Sequence, residues 1–211
     1  MKVYIDKWKN CTKDDKFILS VLLGFLILTI SLVINYFAGT YATESASQSV
    51  TDIILSNTRA YDVDGIFIYG SIALLFSIML ILFYHPKTIP FTLKSISLFV
   101  ITRSIFISLT HLGPFPTQAV VHTGNFLNKF TFGGDLFFSG HTGLPFLIAL
   151  IFWDNKYIRY TFLTGSIIFA FVVLLGHLHY SIDVMAAFFI VYSIFHLSEF
   201  FFKKDRQTFF S

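Results

Sequence analysis

Apolar residues run through this chain in long blocks separated by polar stretches, and the lengths of those blocks set the first expectation. Six blocks are apparent, at 17–38, 66–84, 91–110, 142–153, 157–176 and 180–202. A helix needs about 20 apolar residues to cross the hydrocarbon core of a bilayer, and runs of this length recur along the chain. The fourth block is short and is read as extended by the glycines and threonine before it. The pattern predicts an all-α polytopic membrane protein with six transmembrane helices. The first block is about 22 residues long, beyond the roughly 7–15 apolar residues of a cleaved signal, so it is read as a retained first helix.

Composition supports this expectation. Of 211 residues 55% are hydrophobic and 13% charged, with a mean hydropathy of +0.72, a balance that excludes one soluble globule. No internal repeat, linker or low-complexity segment divides the sequence, so residues 1–211 are read as a single domain. The 28 phenylalanines read as lipid-facing bulk and say nothing about ligands.

Charge then orients the helices. Lys2, Lys7, Lys9, Lys13 and Lys16 precede the first block, Lys87, Lys156 and Arg159 occupy alternate loops, and Lys203, Lys204 and Arg206 follow the last block. The opposite loops offer Arg59 and Lys129, so the positive-inside rule predicts both termini in the cytoplasm. The net charge of +3 therefore reflects topology and not a nucleic-acid partner. A single cysteine, Cys11, excludes an intramolecular disulfide.

With that orientation His111, His122, His141, His177 and His179 fall on the outer side, and His85 and His196 near the inner one. Two long outer loops flank them: 39–65, with Asp52, Arg59, Asp62 and Asp64, and 111–141, rich in Gly, Pro, Thr and Asn. In the stretch HLHYSID, Asp183 follows His179 by one helical turn, so the carboxylate can reach the imidazole and fix its tautomer. His177 points elsewhere and reads as a hydrogen-bonding residue at the rim. Arg103 lies inside the third block, where a charge costs a few kcal/mol and has to face protein, water or an anion. Arg103, His141 and His179 are expected to converge from three helices, and a cation beside a helix start makes an anion site. The anion expected at a membrane surface is a lipid phosphate. Three other readings compete: a structural His179–Asp183 pair, a zinc site of His111, His122 and His141, and a pairing of Arg103 with Asp52, Asp62 or Asp64.

The motifs GGDLFFSGHTGLPFL and HLHYSIDVMAAFFI resemble the paired signatures of sphingomyelin synthases and their relatives, within the type 2 phosphatidic acid phosphatase (PAP2) superfamily. One family motif is met by Gly134, Asp135, Ser139, Gly140, His141 and Thr142, and another by His179, Tyr180, Ser181, Asp183 and Val184. A weaker match joins Arg103 to Thr110, Leu112 and Pro114, and Asp52 in QSVTD is a loose counterpart of a further motif aspartate. The resemblance covers roughly residues 52–200. No glutamate stands in the second block, and no arginine precedes His179 where simple lipid phosphatases of the superfamily keep one. The second absence favours the synthase-like branch.

The resemblance implies a membrane phosphotransferase or phosphodiesterase that moves a phospho-headgroup from a glycerophospholipid to a lipid alcohol. His179, oriented by Asp183, would attack phosphorus or activate the acceptor hydroxyl, and His141 would protonate the departing diacylglycerol oxygen. Arg103, Ser139 and Gly140 would hold the phosphoryl oxygens, and Asp135 would orient His141 or bind a cationic headgroup. No metal or other cofactor is expected. The expected partners are a phospholipid donor, a lipid-alcohol acceptor and the bilayer, with homo-oligomerisation left open. The composition points to a bacterial plasma membrane, and the topology to an extracytoplasmic active site. The alternatives are a PAP2-type lipid phosphatase and, from a different class, a transporter or lipid-binding scaffold.

Overall fold

A computed structural model describes residues 8–9, 11–119 and 136–210, and within them the chain is helical with no strand. The helices are α1 (Asp15–Glu44), α2 (Asp64–Tyr84), α3 (Ile89–Leu109), α4 (Gly140–Ile151), α5 (Lys156–Leu175), α6 (Ser181–Phe201) and α7 (Lys203–Phe210), with short 3-10 turns at Leu55–Asn57 and Pro86–Thr88. Their starts follow from local chemistry. Asp14 accepts from Lys16 N before α1, Ser139 from Thr142 N at α4, and Asn155 from Tyr157 N and Ile158 N at α5, each satisfying amides that a helix start leaves without partners.

Among the described residues five helices are long and apolar enough to cross a membrane: α1, α2, α3 (with the turn before it), α5 and α6. They correspond to five of the six blocks. The block at 142–153 behaves differently, because α4 has 12 residues and is too short to be one of these spans. At 1.5 Å per residue it is about 18 Å long, against about 30 Å of hydrocarbon. Its apolarity has another cause: Leu147, Ile148, Ala149 and Ile151 are fully buried, since α4 is wrapped by its neighbours. A helix buried on all sides and a helix in lipid both lack a polar face, so pattern alone does not separate them. By contrast α2 buries only Ile78, and Ile66, Tyr69, Ile72, Phe76, Met79 and Phe83 along it are exposed.

α1 lies along α3 through small residues. The buried positions Phe17, Gly24, Ser31 and Ala38 recur every seventh residue on α1, as do Pro90, Ser97 and Ser104 on α3. A Cβ on Gly24 would stand 3.1 Å from the Cβ of Leu93, so the backbones are as close as a glycine permits. Lipid tails are as apolar as leucine, and close packing of this kind therefore holds such helices together.

One end of the bundle is closed by ions. Lys94 Nζ on α3 donates to Asp205 of α7 and to Ser20 Oγ of α1, both at 2.7 Å. Arg206 pairs with Glu199 at 3.2 Å, donates to the carbonyl of Ile151 at the end of α4 at 2.9 Å, and stacks near Phe91, Phe195 and Phe209. Both terminal segments meet here, for Trp8 Nε1 donates to the Phe83 carbonyl at the end of α2. At the opposite end lie the starts of α4 and α6, the end of α3, and the segment between α1 and α2.

Candidate functional site

The start of α4 is built around Ser139, which is fully buried. Its N–H donates to the backbone carbonyl of Asp183 at 3.2 Å, which joins the opening turn of α4 to that of α6. Gly140 follows, and a Cβ there would lie 3.3 Å from Arg103 Nε and 3.8 Å from Cζ. The guanidinium thus lies across the first residue of α4, and Nε donates to the Phe138 carbonyl at 3.2 Å. A larger residue at 140 would push the arginine away. The arginine and the exposed amides of the helix start add their positive potentials at one point, which suits an anion.

His141 comes next in sequence. Its ring is packed beside Phe67 of α2, with centroids 4.2 Å apart, and near Phe169 of α5 at 5.9 Å. His179 and Arg103 are both close enough to act on it electrostatically. Four residues later Pro145 has no N–H to offer the His141 carbonyl, while Ser166 of α5 donates to the carbonyl of Thr142 at 2.7 Å. The first turn of α4 is therefore tied to α5 and α6 as well as to its own helix.

The start of α6 carries the other imidazole. Asp183 is fully buried, and its Oδ2 lies 3.4 Å from His179 Nδ1 and accepts from the Tyr180 N–H at 3.0 Å. This places the shared proton on Nδ1 and leaves Nε2 as the ring nitrogen able to act as base or nucleophile. The 3.4 Å separation is long for a hydrogen bond.

The family model described as PAP2 superfamily C-terminal matches residues 133–200. This supports membership of the PAP2 superfamily. No curated protein and no solved structure matches the chain. The PAP2 match points to a lipid enzyme of the phosphatase or phosphotransferase type in a membrane. It includes the SGHT turn and the HYSID stretch, whereas Arg103 and Asp52 lie outside it and are placed by the structure alone.

Of the PAP2-like residues singled out in the sequence, Arg103, Ser139, Gly140, His141, His179 and Asp183 come into one neighbourhood at one end of the bundle. Asp135 and His122 lie outside the described residues. His111 belongs elsewhere, with its ring against Tyr41 of α1 at 5.3 Å and its carbonyl bound by Ser47. Among the described residues no group of three or more His, Cys, Asp or Glu side chains is arranged to hold a metal ion.

His177 is buried, not at a rim. It adopts a left-handed backbone with φ of 51°, and its ring bridges Thr117 Oγ1 (Nδ1, 2.6 Å) and Thr58 Oγ1 (Nε2, 3.2 Å). It thereby ties three loops together. Burial pushes its pKa below the ordinary histidine range, and the charge of Asp52 offsets this in part.

Sequence reasoning under-read two residues around His179. Tyr180, almost fully buried, donates from its hydroxyl to the Gly113 carbonyl at 2.8 Å and accepts from Val50 N at 3.2 Å. Gly113 itself has to be a glycine, because a Cβ would collide with the Ser47 carbonyl. Asp52 was read as an arginine partner or a loose motif match, yet both its oxygens accept from other groups. Oδ2 takes Ser181 N (2.7 Å) and Ser181 Oγ (2.8 Å), and Oδ1 takes Ile54 N (2.8 Å) and Leu55 N (3.1 Å). A signal was present: α6 begins after a tyrosine and not after Ser, Thr, Asp or Asn, so its amides need carboxylates from elsewhere.

Proposed function

We propose that this protein is a membrane phosphotransferase that moves a phospho-headgroup from a glycerophospholipid to a lipid alcohol, with water as the default acceptor. The observation that carries the reading is the junction of two helix starts, with Arg103 against Gly140 on one side and the His179–Asp183 pair on the other. Arg103 and the amide of Gly140 hold the phosphoryl oxygens, where charge develops in the transition state, while the Ser139 N–H stays engaged with the Asp183 carbonyl. His179 Nε2 attacks phosphorus or removes the proton of the acceptor hydroxyl. His141 gives a proton to the departing diacylglycerol oxygen and, if His179 carries the phosphoryl group, later takes one from the incoming alcohol. One imidazole serves both steps by microscopic reversibility. Asp135 is assigned to orienting His141 or binding a cationic headgroup. We place the site at the extracytoplasmic interface from the distribution of lysine and arginine.

The resemblance of HYSID to the synthase signature, with no arginine in the stretch 170–178 before His179, favours transfer over simple phosphomonoester hydrolysis. The PAP2 match is equally compatible with a lipid phosphatase, which keeps that reading second. Purified protein in detergent, given labelled phosphatidylcholine or phosphatidylethanolamine with ceramide or diacylglycerol, is expected to form diacylglycerol and a new phospholipid. Release of inorganic phosphate from phosphatidic acid, with no action on the diesters, would move the assignment to a phosphatase. No turnover of any of these lipids would leave the scaffold reading.

A further inference from the structure

We propose that Asp52 is a positioning residue for His179, fixing the amino end of α6 from a segment 129 residues away in sequence. The proposal rests on the reading of His179 as a reacting group. Asp52 is buried, and its four hydrogen bonds come from three backbone N–H groups and one hydroxyl. With two donors on each oxygen, an ionised carboxylate accepts all four bonds, whereas an amide in its place would turn an NH2 toward a backbone N–H. Burial alone would raise the Asp52 pKa, but the hydrogen bonds from Leu55, Ser181 and Ile54 outweigh it and keep the group below the usual carboxylate range.

The location gives this anchor its consequence. Ser181 is two residues after His179 and two before Asp183, so the atoms Asp52 grips lie midway between the imidazole and the carboxylate that orients it. Tyr180, between them, is held by Val50 N from the same segment and by the Gly113 carbonyl. The stretch 50–55 thus holds both residues that separate His179 from the body of α6. A negative charge at the start of α6 also offsets the positive end of that helix beside His179. A displacement of the imidazole by a fraction of an ångström is enough to slow in-line attack at phosphorus.

The test pairs kinetics with a direct view of the ring. For Asp52→Asn, we expect kcat to fall about 10–100-fold with KM changed by less than about threefold, as for a misplaced and not a missing group. With ¹⁵N-labelled histidine in detergent micelles, the His179 ring resonances, identified through His179→Gln, are expected to move in the same variant. Asp205→Asn, at the other end of the bundle, is the control: it should lower thermal stability while leaving the His179 resonances in place. If Asp52→Asn does not fold, Ser181→Ala removes one donor alone and should shift the His179 resonances in the same direction, by less. Unmoved His179 resonances in the folded variants would overturn the proposal, as would a loss of turnover matched by the fraction unfolded. A wild-type protein inert toward every phospholipid would instead refute the function, while the ring resonances still decide the role of Asp52.

Discussion

The two ends of α3 each hold a buried basic residue, and the described groups around the two ends differ. Lys94 is buried near one end and meets the carboxylate of Asp205 and the hydroxyl of Ser20, while nearby Arg206 meets Glu199. At the other end Arg103 lies across Gly140, and the two carboxylates at the start of α6, Asp52 and Asp183, accept from backbone N–H groups, a hydroxyl and an imidazole. At the first end cations and anions satisfy each other, which closes the bundle and fastens α7. At the second, carboxylates serve to position a helix start and a histidine ring. A buried charge is thus evidence of chemistry only when its surroundings build a site; otherwise it is a fastening.

Variants at the two ends should separate accordingly. The largest effect is expected for His179→Ala, which should reduce turnover by about 10³-fold or more with thermal unfolding close to wild type, checked with labelled lipids and a melting curve. Asp183→Asn should follow, at roughly 10²–10⁴-fold, because an amide no longer fixes the tautomer; a mild loss would make the acid structural. Arg103→Lys is expected to lower kcat/KM by about 10²-fold, since a point charge does not replace the fork that spans two phosphoryl oxygens. At the closed end, Lys94→Met should destabilise by about 3 kcal/mol by leaving Asp205 without its cation, with kcat within about twofold of wild type. An activity loss in Lys94→Met comparable to that of Arg103→Lys would erase the contrast.

The smallest effect is a pH dependence of stability at the open end. His177 has a folded pKa below the ordinary histidine value of 6.5, so as pH falls through 6.5 the unfolded chain takes up a proton first and stability declines until the folded ring also titrates. Asp52 has a folded pKa below 3.8, so its contribution is present above 3.8 and is lost as pH falls through the lower folded value. Melting curves at pH 8, 6 and 5 should fall in that order, and His177→Gln should flatten the slope. Equal slopes in the two proteins would remove His177 from the account.

The sequence made the lipid-facing helices legible because hydropathy reports the solvent directly, and α2, exposed along almost its whole length, is the clearest case. It could not separate α4 from a span, since burial by neighbours selects the same residues as lipid does. Arg103, His141, His179 and Asp183 stood out because polar groups in apolar surroundings are rare. Lys94 was passed over although it stands in the same block as Arg103, for its partner Asp205 belongs to α7, a helix too short and polar to be anticipated. For Asp52 the sequence offers a loose motif match and a possible arginine partner but not its hydrogen bonds, because a carboxylate bound by backbone N–H groups leaves no complementary residue type in the sequence to find.

The central claim is that Arg103, His141 and His179 surround one phosphoryl group. A structure of the protein with bound orthovanadate, a mimic of the five-coordinate phosphorus, tests it most directly. The account predicts vanadate at the start of α4, within hydrogen-bonding distance of the Arg103 guanidinium and of both imidazoles. Vanadate that inhibits turnover yet binds elsewhere, or imidazoles separated by well over the width of a phosphate in that complex, would contradict it.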